Sequence, residues 1–319
     1  METPAITFGP VPSRRLGRSL GINNIPPKVC SYSCVYCQIG ATSRQETKPQ
    51  TFFHTEDIVQ QVKIRIEALR DRGEIIDYLT FVPDGEPTLD MHLGGSIDLL
   101  RAFGLKIAVI SNGSLLWQPE VRKSLARADW VSVKVDAVDE RSWQKINRPQ
   151  KDLELDSILQ GIQLFADMFE GELVTETMLL RGLNDTSGTV AAIAEFIATI
   201  APDKAYVAIP TRPPAEDEVR PPFEKDIVMA YQIFYEKIPN AEIEYLIEYE
   251  GEKFVAAGNI QDELLSIASV HPLREEALGQ LLKDANASHD VINKLIKEKK
   301  IKMTEYQGKR FYLRNIKES

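Results

Sequence analysis

Three cysteines lie within eight residues of one another, and the chain has no others. Cys30, Cys34 and Cys37 follow the spacing C-x3-C-x2-C, and the nearest histidine is His54. An odd, clustered set of thiols is a poor disulfide framework, and a local zinc site would need a fourth ligand. Three thiolates on a cubane of four irons leave one iron without a protein ligand. The spacing therefore predicts a 4Fe–4S cluster with one open iron, whereas buried structural thiols would not require such clustering.

The composition is that of an ordinary globular protein, with 319 residues, 43% hydrophobic residues and a net charge of −9. The acidic balance argues against a surface that binds nucleic acid as a whole. No run approaches the roughly 20 apolar residues that cross a bilayer, and the N-terminus lacks the pattern of an export signal. We therefore expect a cytoplasmic protein without a membrane partner.

Apolar, β-branched runs alternate with helical patterns over residues 18–250, which predicts an α/β fold with a parallel sheet. Six such units indicate a partial, open (β/α)6 barrel, and Ile243–Tyr249 is a weaker candidate for an edge strand. The predicted strands are Ser19–Asn23, Ile75–Val82, Leu105–Ser111, Trp130–Asp136, Leu173–Leu180 and Lys204–Ile209. The predicted helices cover residues 55–71, 91–103, 115–127, 153–169, 186–199 and 224–237.

Polar motifs follow these strands, one after another, at their carboxyl ends. Chemistry gathers at this edge in parallel α/β folds, so the motifs are expected to share the rim of one site. The motifs are the cysteine loop, Asp84–Pro87, Ser111–Gly113, Lys134 with Asp136, Arg181-Gly182 and Thr211-Arg212.

The cysteine spacing, with Tyr36 before the last cysteine, resembles the signature of the radical S-adenosylmethionine (SAM) superfamily. The segment Phe8–Gly40 is similar to a subgroup of Fe–S oxidoreductases of mostly unassigned activity, distantly similar to the tRNA wybutosine-forming enzymes. The resemblance covers roughly residues 5–250 and implies a radical SAM barrel. It also implies that the open iron binds SAM, and that the reduced cluster cleaves SAM to a 5′-deoxyadenosyl radical, which takes hydrogen from a substrate.

The resemblance also implies which residues contact SAM. Tyr36 would lie near the adenine, Gly85, Glu86 and Pro87 would meet the amino group, and Asp84 replaces the first glycine of that superfamily motif. Further contacts are implied for Ser111 and Asn112 at the ribose, Lys134 and Asp136 on the fourth strand, and Arg181 at the SAM carboxylate. The alternative for residues 84–88 is a simple turn. The alternative for the charged residues at the strand ends is that they are solvated or form salt bridges. Arg14, Arg15 and Arg18 could grip a phosphate or pair with acids of the rim. No residue is assigned as catalytic.

The alternation stops near Phe254–Asn259, which predicts two domains, residues 1–257 and 258–319. Helices are expected over 260–269, 273–283 and 288–299, followed by a hairpin whose turn is Gln307-Gly308. This order is typical of a winged helix-turn-helix. Its basic side chains could meet nucleic acid or could be a solvated surface, and many winged helices instead bind peptides or pack against their own chain. The basic side chains are Lys294, Lys297, Lys299, Lys300, Lys309 and Arg310.

Three functions fit these observations. The first is a radical SAM enzyme acting on RNA, the second is the same chemistry on a protein, peptide or metabolite, and the third is an iron–sulfur redox-sensing regulator that binds DNA. An enzyme would need an electron donor such as flavodoxin or ferredoxin. Because the one cluster uses every cysteine, a second cysteine-ligated cluster and a catalytic cysteine are excluded.

Overall fold

The computed structural model describes residues 6–247, 254–255 and 258–315, and the fold is given for these. The strands in chain order are β1 (Thr7–Ser13), β2 (Gly17–Ile22), β3 (Val29–Cys30), β4 (Arg44–Gln45), β5 (Tyr78–Phe81), β6 (Lys106–Ser111), β7 (Trp130–Lys134), β8 (Glu172–Met178), β9 (Lys204–Ala208), β10 (Glu242–Leu246), β11 (Leu273–Arg274), β12 (Ile301–Tyr306) and β13 (Lys309–Arg314). The α-helices are α1 (Thr55–Arg70), α2 (Leu93–Leu100), α3 (Pro119–Leu125), α4 (Glu140–Ile146), α5 (Leu155–Ala166), α6 (Ser187–Ile200), α7 (Glu224–Lys237), α8 (Ile260–Val270), α9 (Glu275–Asp284) and α10 (Asp290–Lys297).

One mostly parallel sheet organises residues 6–247, in the order β1-β2-β5-β6-β7-β8-β9-β10. All neighbours are parallel except β1, which pairs with β2 in the antiparallel sense. The six predicted strands are confirmed, and the weaker candidate is present as β10, although Glu248 and Tyr249 lie outside the described residues. Strand β1 was not predicted; Pro10 and Pro12 are unusual within strands and are tolerated here because β1 lies at the edge of the sheet.

Side chains of the strands alternate between two apolar layers. Val109, Val131 and Val207 are fully buried in the main core, which the helices complete through residues such as Ile58 and Ile193. The residues between them form a second cluster on the opposite face, which includes Ala108, Trp130, Val174 and Tyr206. Burial on both faces explains why the sequences of these strands are nearly continuous apolar runs.

The C-terminal segment, residues 260–314, contains α8, α9 and α10 and a three-stranded sheet in the order β11-β13-β12. It has a core of its own, built from residues such as Leu264, Leu278 and Leu295. The predicted helices and hairpin are therefore present, while the two-domain division and the winged-helix assignment stay predictions. In the described part of the chain, no helix is both long and apolar enough to cross a membrane.

Candidate functional site

The cysteine loop folds against the carboxyl ends of the central strands. The N–H of Cys37 donates to the carbonyl of Cys34 (3.0 Å), and the N–H of Glu46 donates to the carbonyl of Cys30 (3.0 Å), which closes the loop on itself. The three thiols are free and line one cavity of about 270 Å³, named here the cysteine cavity. Residues that follow β5 and β6, together with Lys134 at the end of β7, line the same cavity, so most of the motifs at the strand ends do meet.

The Asp84–Glu86 run lies directly beside the chain that enters the cysteine loop. The N–H of Lys28 donates to the carbonyl of Asp84 (2.6 Å), and the N–H of Glu86 donates to the carbonyl of Val29 (3.2 Å). Between these two bonds, a Cβ atom added to Gly85 would lie 1.9 Å from the Val29 carbonyl oxygen. Only glycine allows this approach, so Gly85 sets how closely the run approaches Cys30.

The Glu86 carboxylate joins the ends of β5 and β6. Its Oε1 accepts hydrogen bonds from the Thr88 N–H (3.1 Å), the Thr88 hydroxyl (2.6 Å) and the Ser111 hydroxyl (2.7 Å). Its Oε2 accepts from the Asn112 N–H (2.7 Å). Burial raises the pKa of Glu86 although these donors favour the charged form. The carboxylate thus fixes Ser111 and Asn112 at the cavity wall, a positioning role that the sequence did not indicate.

Tyr36 belongs to a buried hydrogen-bond network behind the cysteines. Its hydroxyl donates to Oδ2 of Asp136 (2.5 Å), which also accepts from the Asn147 side-chain amide (2.9 Å). Burial, followed by the nearby charge of Asp136, raises the pKa of Tyr36 well above its ordinary value. Tyr36 lines the cysteine cavity while its hydroxyl is bound to Asp136, two residues after the end of β7, so its side chain is held in one orientation.

Two cations share a single buried carboxylate on the cavity wall. Glu176 is 8% exposed in its side chain and binds Lys134 (2.5 Å) and Arg15 (2.5 Å). Burial alone would raise the pKa of Glu176, but Lys134 and Arg15 together lower it to about 2. Arg14, Arg15 and Arg18 were expected either to grip a phosphate or to pair with acids. Arg15 pairs with an acid, and Arg18 likewise pairs with Glu74 (3.1 Å).

The surroundings of the thiols fit an iron–sulfur cluster. Burial raises the pKa of Cys34 to about 12, so thiolates here require a positive group such as iron to stabilise them. Side-chain amides of Asn112 and Asn147 lie 3.5 Å from the sulfurs of Cys30 and Cys34, where N–H donors tune cluster thiolates. No three histidine, cysteine or acidic side chains among the described residues are grouped as ligands of a metal ion. A cluster here would be held by these three thiols, beside the two amide donors and within the shared cavity.

Comparison with known proteins identifies the family. Residues 24–197, more than half of the chain, match the Radical SAM superfamily. The chain belongs to the radical SAM superfamily.

Relatives extend this likeness over nearly the whole chain. The UPF0026 protein MJ1312 of Methanocaldococcus jannaschii is 48% identical over 312 residues, which cover 98% of this chain and 97% of the relative. A UPF0026 protein of Helicobacter pylori strain 26695 is 31% identical over 318 residues, 98% of each chain. The crystal structure of a radical SAM methyltransferase from Sphaerobacter thermophilus superposes with a TM-score of 0.53 at 16% identity, over 72% of this chain and 66% of that one, a likeness in fold alone.

The residues predicted from the radical SAM resemblance divide into two groups. Those that line the cysteine cavity are Cys30, Cys34, Cys37, Tyr36, Gly85, Glu86, Ser111, Asn112 and Lys134. Pro87 and Asp136 are buried behind the wall, where Pro87 begins a short 3-10 turn and Asp136 holds Tyr36. The SAM contacts of these residues stay predictions.

Arg181 is the exception, because it does not reach the cysteine cavity. Its Nε donates to the Pro221 carbonyl (2.9 Å), and its guanidinium lies 3.9 Å from the centre of the Phe223 ring. The cationic side chains on the cavity wall are instead Arg15, Lys28, Lys134 and Arg212. Of these, Arg212 and Lys134 were expected at the rim from their places at the ends of predicted strands, and both line the cavity.

The C-terminal segment of this radical SAM protein touches the residue after the last cysteine. The Gln38 side-chain amide donates to the Val270 carbonyl (2.8 Å), and its oxygen accepts from Arg212 (2.8 Å). Arg212 also lies 3.0 Å from Nε2 of His271, whose pKa is lowered by burial and by that guanidinium. A neutral His271 can accept this hydrogen bond, so the end of α8 is bound to the cysteine loop.

Asp84 is buried beside this contact at 1% exposure, and within the described chain its Oδ1 has no hydrogen-bond partner. Burial raises its pKa to about 7, although Ser269, Arg314 and Lys28 favour the charge. Because a raised pKa disfavours ionisation in the folded state, Asp84 should destabilise the fold increasingly as pH rises from its unfolded pKa near 4 to about 7.

Replacing Asp84 with asparagine should remove that cost. For cluster-free protein, we expect Asp84→Asn to gain on the order of 3 kcal/mol in free energy of unfolding between pH 4 and pH 8, relative to the unmodified chain. Urea titrations at several pH values measure the difference. The exposed Asp167→Asn serves as control and should show no such growth with pH. A gain for Asp84→Asn that is independent of pH would contradict this explanation.

Proposed function

We propose that this protein is a radical SAM enzyme in which Cys30, Cys34 and Cys37 hold a 4Fe–4S cluster whose fourth iron binds SAM. When bound, the cluster would supply one electron that cleaves SAM to methionine and a 5′-deoxyadenosyl radical. That radical would become 5′-deoxyadenosine by taking a hydrogen atom from a substrate. The single observation that carries the proposal is that all three thiols share one cavity with Gly85, Ser111 and Asn112.

The chain's own residues would bind and orient the cofactors. The Asn112 and Asn147 amides would donate to ligand sulfurs, and the Glu86 carboxylate keeps Asn112 in position. The Tyr36 ring, fixed by Asp136, offers a flat apolar face for a base. Because Glu176 pairs with both Lys134 and Arg15, these three side chains together carry one excess positive charge at the cavity wall.

The test is the product of SAM cleavage. Protein reconstituted anaerobically with iron and sulfide, then reduced with dithionite, should convert SAM to 5′-deoxyadenosine, measured by liquid chromatography. Omission of dithionite is the control and should stop the reaction. An iron–sulfur regulator, the rival function, would bind the cluster without forming 5′-deoxyadenosine, and that result would reject the enzyme.

A small-molecule substrate is better supported than RNA. We propose that residues 258–319 form a winged-helix domain, but most of its predicted nucleic-acid contacts are engaged with acids. Lys300 pairs with Glu298 (3.2 Å) and Arg310 with Glu275 (3.0 Å), while Lys294 and Lys309 each lie 3.9 Å from a glutamate. Cations already paired with carboxylates release less free energy on meeting phosphates. An electron donor such as flavodoxin or ferredoxin would complete the proposed cycle in the cytoplasm.

A further inference from the structure

A second and larger cavity opens beside the cysteine cavity. Its volume is about 550 Å³, and it lies between residues 38–40 of the cysteine loop, residues 213–220 and the β12–β13 hairpin, so it is named here the hairpin cavity. Lys28, Gln38, Ile39 and Gly40 line both cavities. A molecule in the hairpin cavity would therefore adjoin the proposed SAM site, and the volume is in the range of small-molecule sites.

The lining of the hairpin cavity is positively charged in an otherwise acidic protein. Four basic residues, Lys28, Arg220, Lys302 and Arg314, face two acidic residues, Asp217 and Glu305. The chain as a whole has a net charge of −9. A locally positive, concave wall of this kind attracts anions and concentrates them from solution.

Three of these cations lack an ion-pair partner in the part of the chain that the structure describes. Among the described residues, Lys28, Lys302 and Arg314 have no carboxylate within 4.0 Å, although the buried Asp84 attracts Lys28 and Arg314 from farther away. The Arg220 guanidinium donates hydrogen bonds to the carbonyl oxygens of Asp217 and Val219. Carbonyl groups are neutral, so these bonds do not cancel its positive charge. Elsewhere on the C-terminal segment four basic side chains, Lys294, Lys300, Lys309 and Arg310, each lie within 4.0 Å of a glutamate.

We propose that the hairpin cavity binds the phosphate group of a small-molecule substrate, an inference that rests on the proposed radical SAM function for the step that follows binding. The excess of two positive charges matches a phosphate monoester, which carries nearly two negative charges at neutral pH. Arg314 offers a planar fork of donors, and the lysines offer point charges. The phosphate would anchor the substrate so that its remainder extends past Gln38 and Ile39 toward the cysteine cavity.

The experiment measures binding of inorganic pyrophosphate to the cluster-loaded, SAM-bound protein by calorimetry at constant ionic strength. We expect the unmodified protein to bind pyrophosphate. The double variant Lys302→Ala/Arg314→Ala should bind pyrophosphate about tenfold more weakly, or weaker still. Lys283→Ala/Lys297→Ala removes the same charge from exposed helix positions outside the cavity and should leave binding unchanged. Lys302→Arg should retain binding, because it keeps the charge.

Three outcomes would overturn the proposal. These are no binding beyond that of chloride, equal losses in both double variants, or binding of a single-stranded RNA oligonucleotide that depends on Lys283 and Lys297 rather than on Lys302 and Arg314. Formation of 5′-deoxyadenosine is measured in the same samples and should be equal in the unmodified protein and in Lys283→Ala/Lys297→Ala. If SAM is not cleaved by any of them, the proposed function fails, while the pyrophosphate titrations still decide whether the anion site exists.

Discussion

Cys34→Ala should lose the cluster and with it all cleavage of SAM. Each cysteine would supply one bond to a different iron, and two thiolates do not hold a cubane in a cavity otherwise lined by protein. Even the loss of a hydrogen-bond partner of a metal ligand costs about 10–100-fold in affinity or activity, so loss of the ligand itself should exceed about 100-fold. The measurements are iron per chain after anaerobic reconstitution and 5′-deoxyadenosine formed after reduction.

Ser43→Ala is the matched control for Cys34→Ala. Ser43 lies in the same loop, is exposed, and its hydroxyl donates only a long bond to the Lys28 carbonyl (3.3 Å). We expect it to keep its iron and its activity. A Cys34→Ala protein that binds as much iron as Ser43→Ala and cleaves SAM would show that the thiols are not the ligands.

Gly85→Ala should disrupt the wall of the cysteine cavity that residues 84–86 form. The added methyl group would lie 1.9 Å from the carbonyl oxygen of Val29 and 2.8 Å from its carbon, and backbone atoms cannot rotate out of the way. Either the Asp84–Glu86 run or the strand that carries Cys30 must move. We expect a loss of about 1–3 kcal/mol in free energy of unfolding, as in other overpacked sites, together with at least about tenfold lower iron content or SAM cleavage.

Gly95→Ala separates this steric effect from the general effect of replacing glycine. Gly95 lies within α2, and an added Cβ there would have no neighbour within 4 Å. In a helix interior this replacement should stabilise the protein by about 0.5–1 kcal/mol and leave the cluster intact. If Gly85→Ala were as stable and as active as Gly95→Ala, the close approach to Val29 would have no functional importance.

The position of the site could be predicted from the sequence because it depends on local patterns. Apolar runs such as Trp130–Lys134 end at the same sheet edge as their neighbours, so the polar residues after them must meet there. The cysteine spacing is a pattern within eight residues. Both patterns can be recognised in a single sequence, because neither requires knowledge of which distant segments pack together.

The unpredicted features depend on contacts between distant residues. Arg181 follows a strand as the other site residues do, but Phe223, 42 positions later, stacks on its guanidinium and holds it outside the cavity. The hydrogen bond from Ser111 to Glu86 could not be predicted for the same reason, because Ser111 belongs to the next strand of the sheet. No local pattern marks such pairs. The charge of the hairpin cavity likewise appears only when β12 and β13 are placed beside the cysteine loop.

The bond between Gln38 and Val270 has a consequence for the order of events during synthesis. The two residues are 232 positions apart, so a nascent chain that has already produced every cysteine still lacks the residues that hold the loop after Cys37. Contacts of such long sequence separation form late in folding. Iron and sulfide should therefore be inserted stably only after translation has passed residue 271, and ribosome-bound chains that stop earlier should exchange their iron readily with chelators.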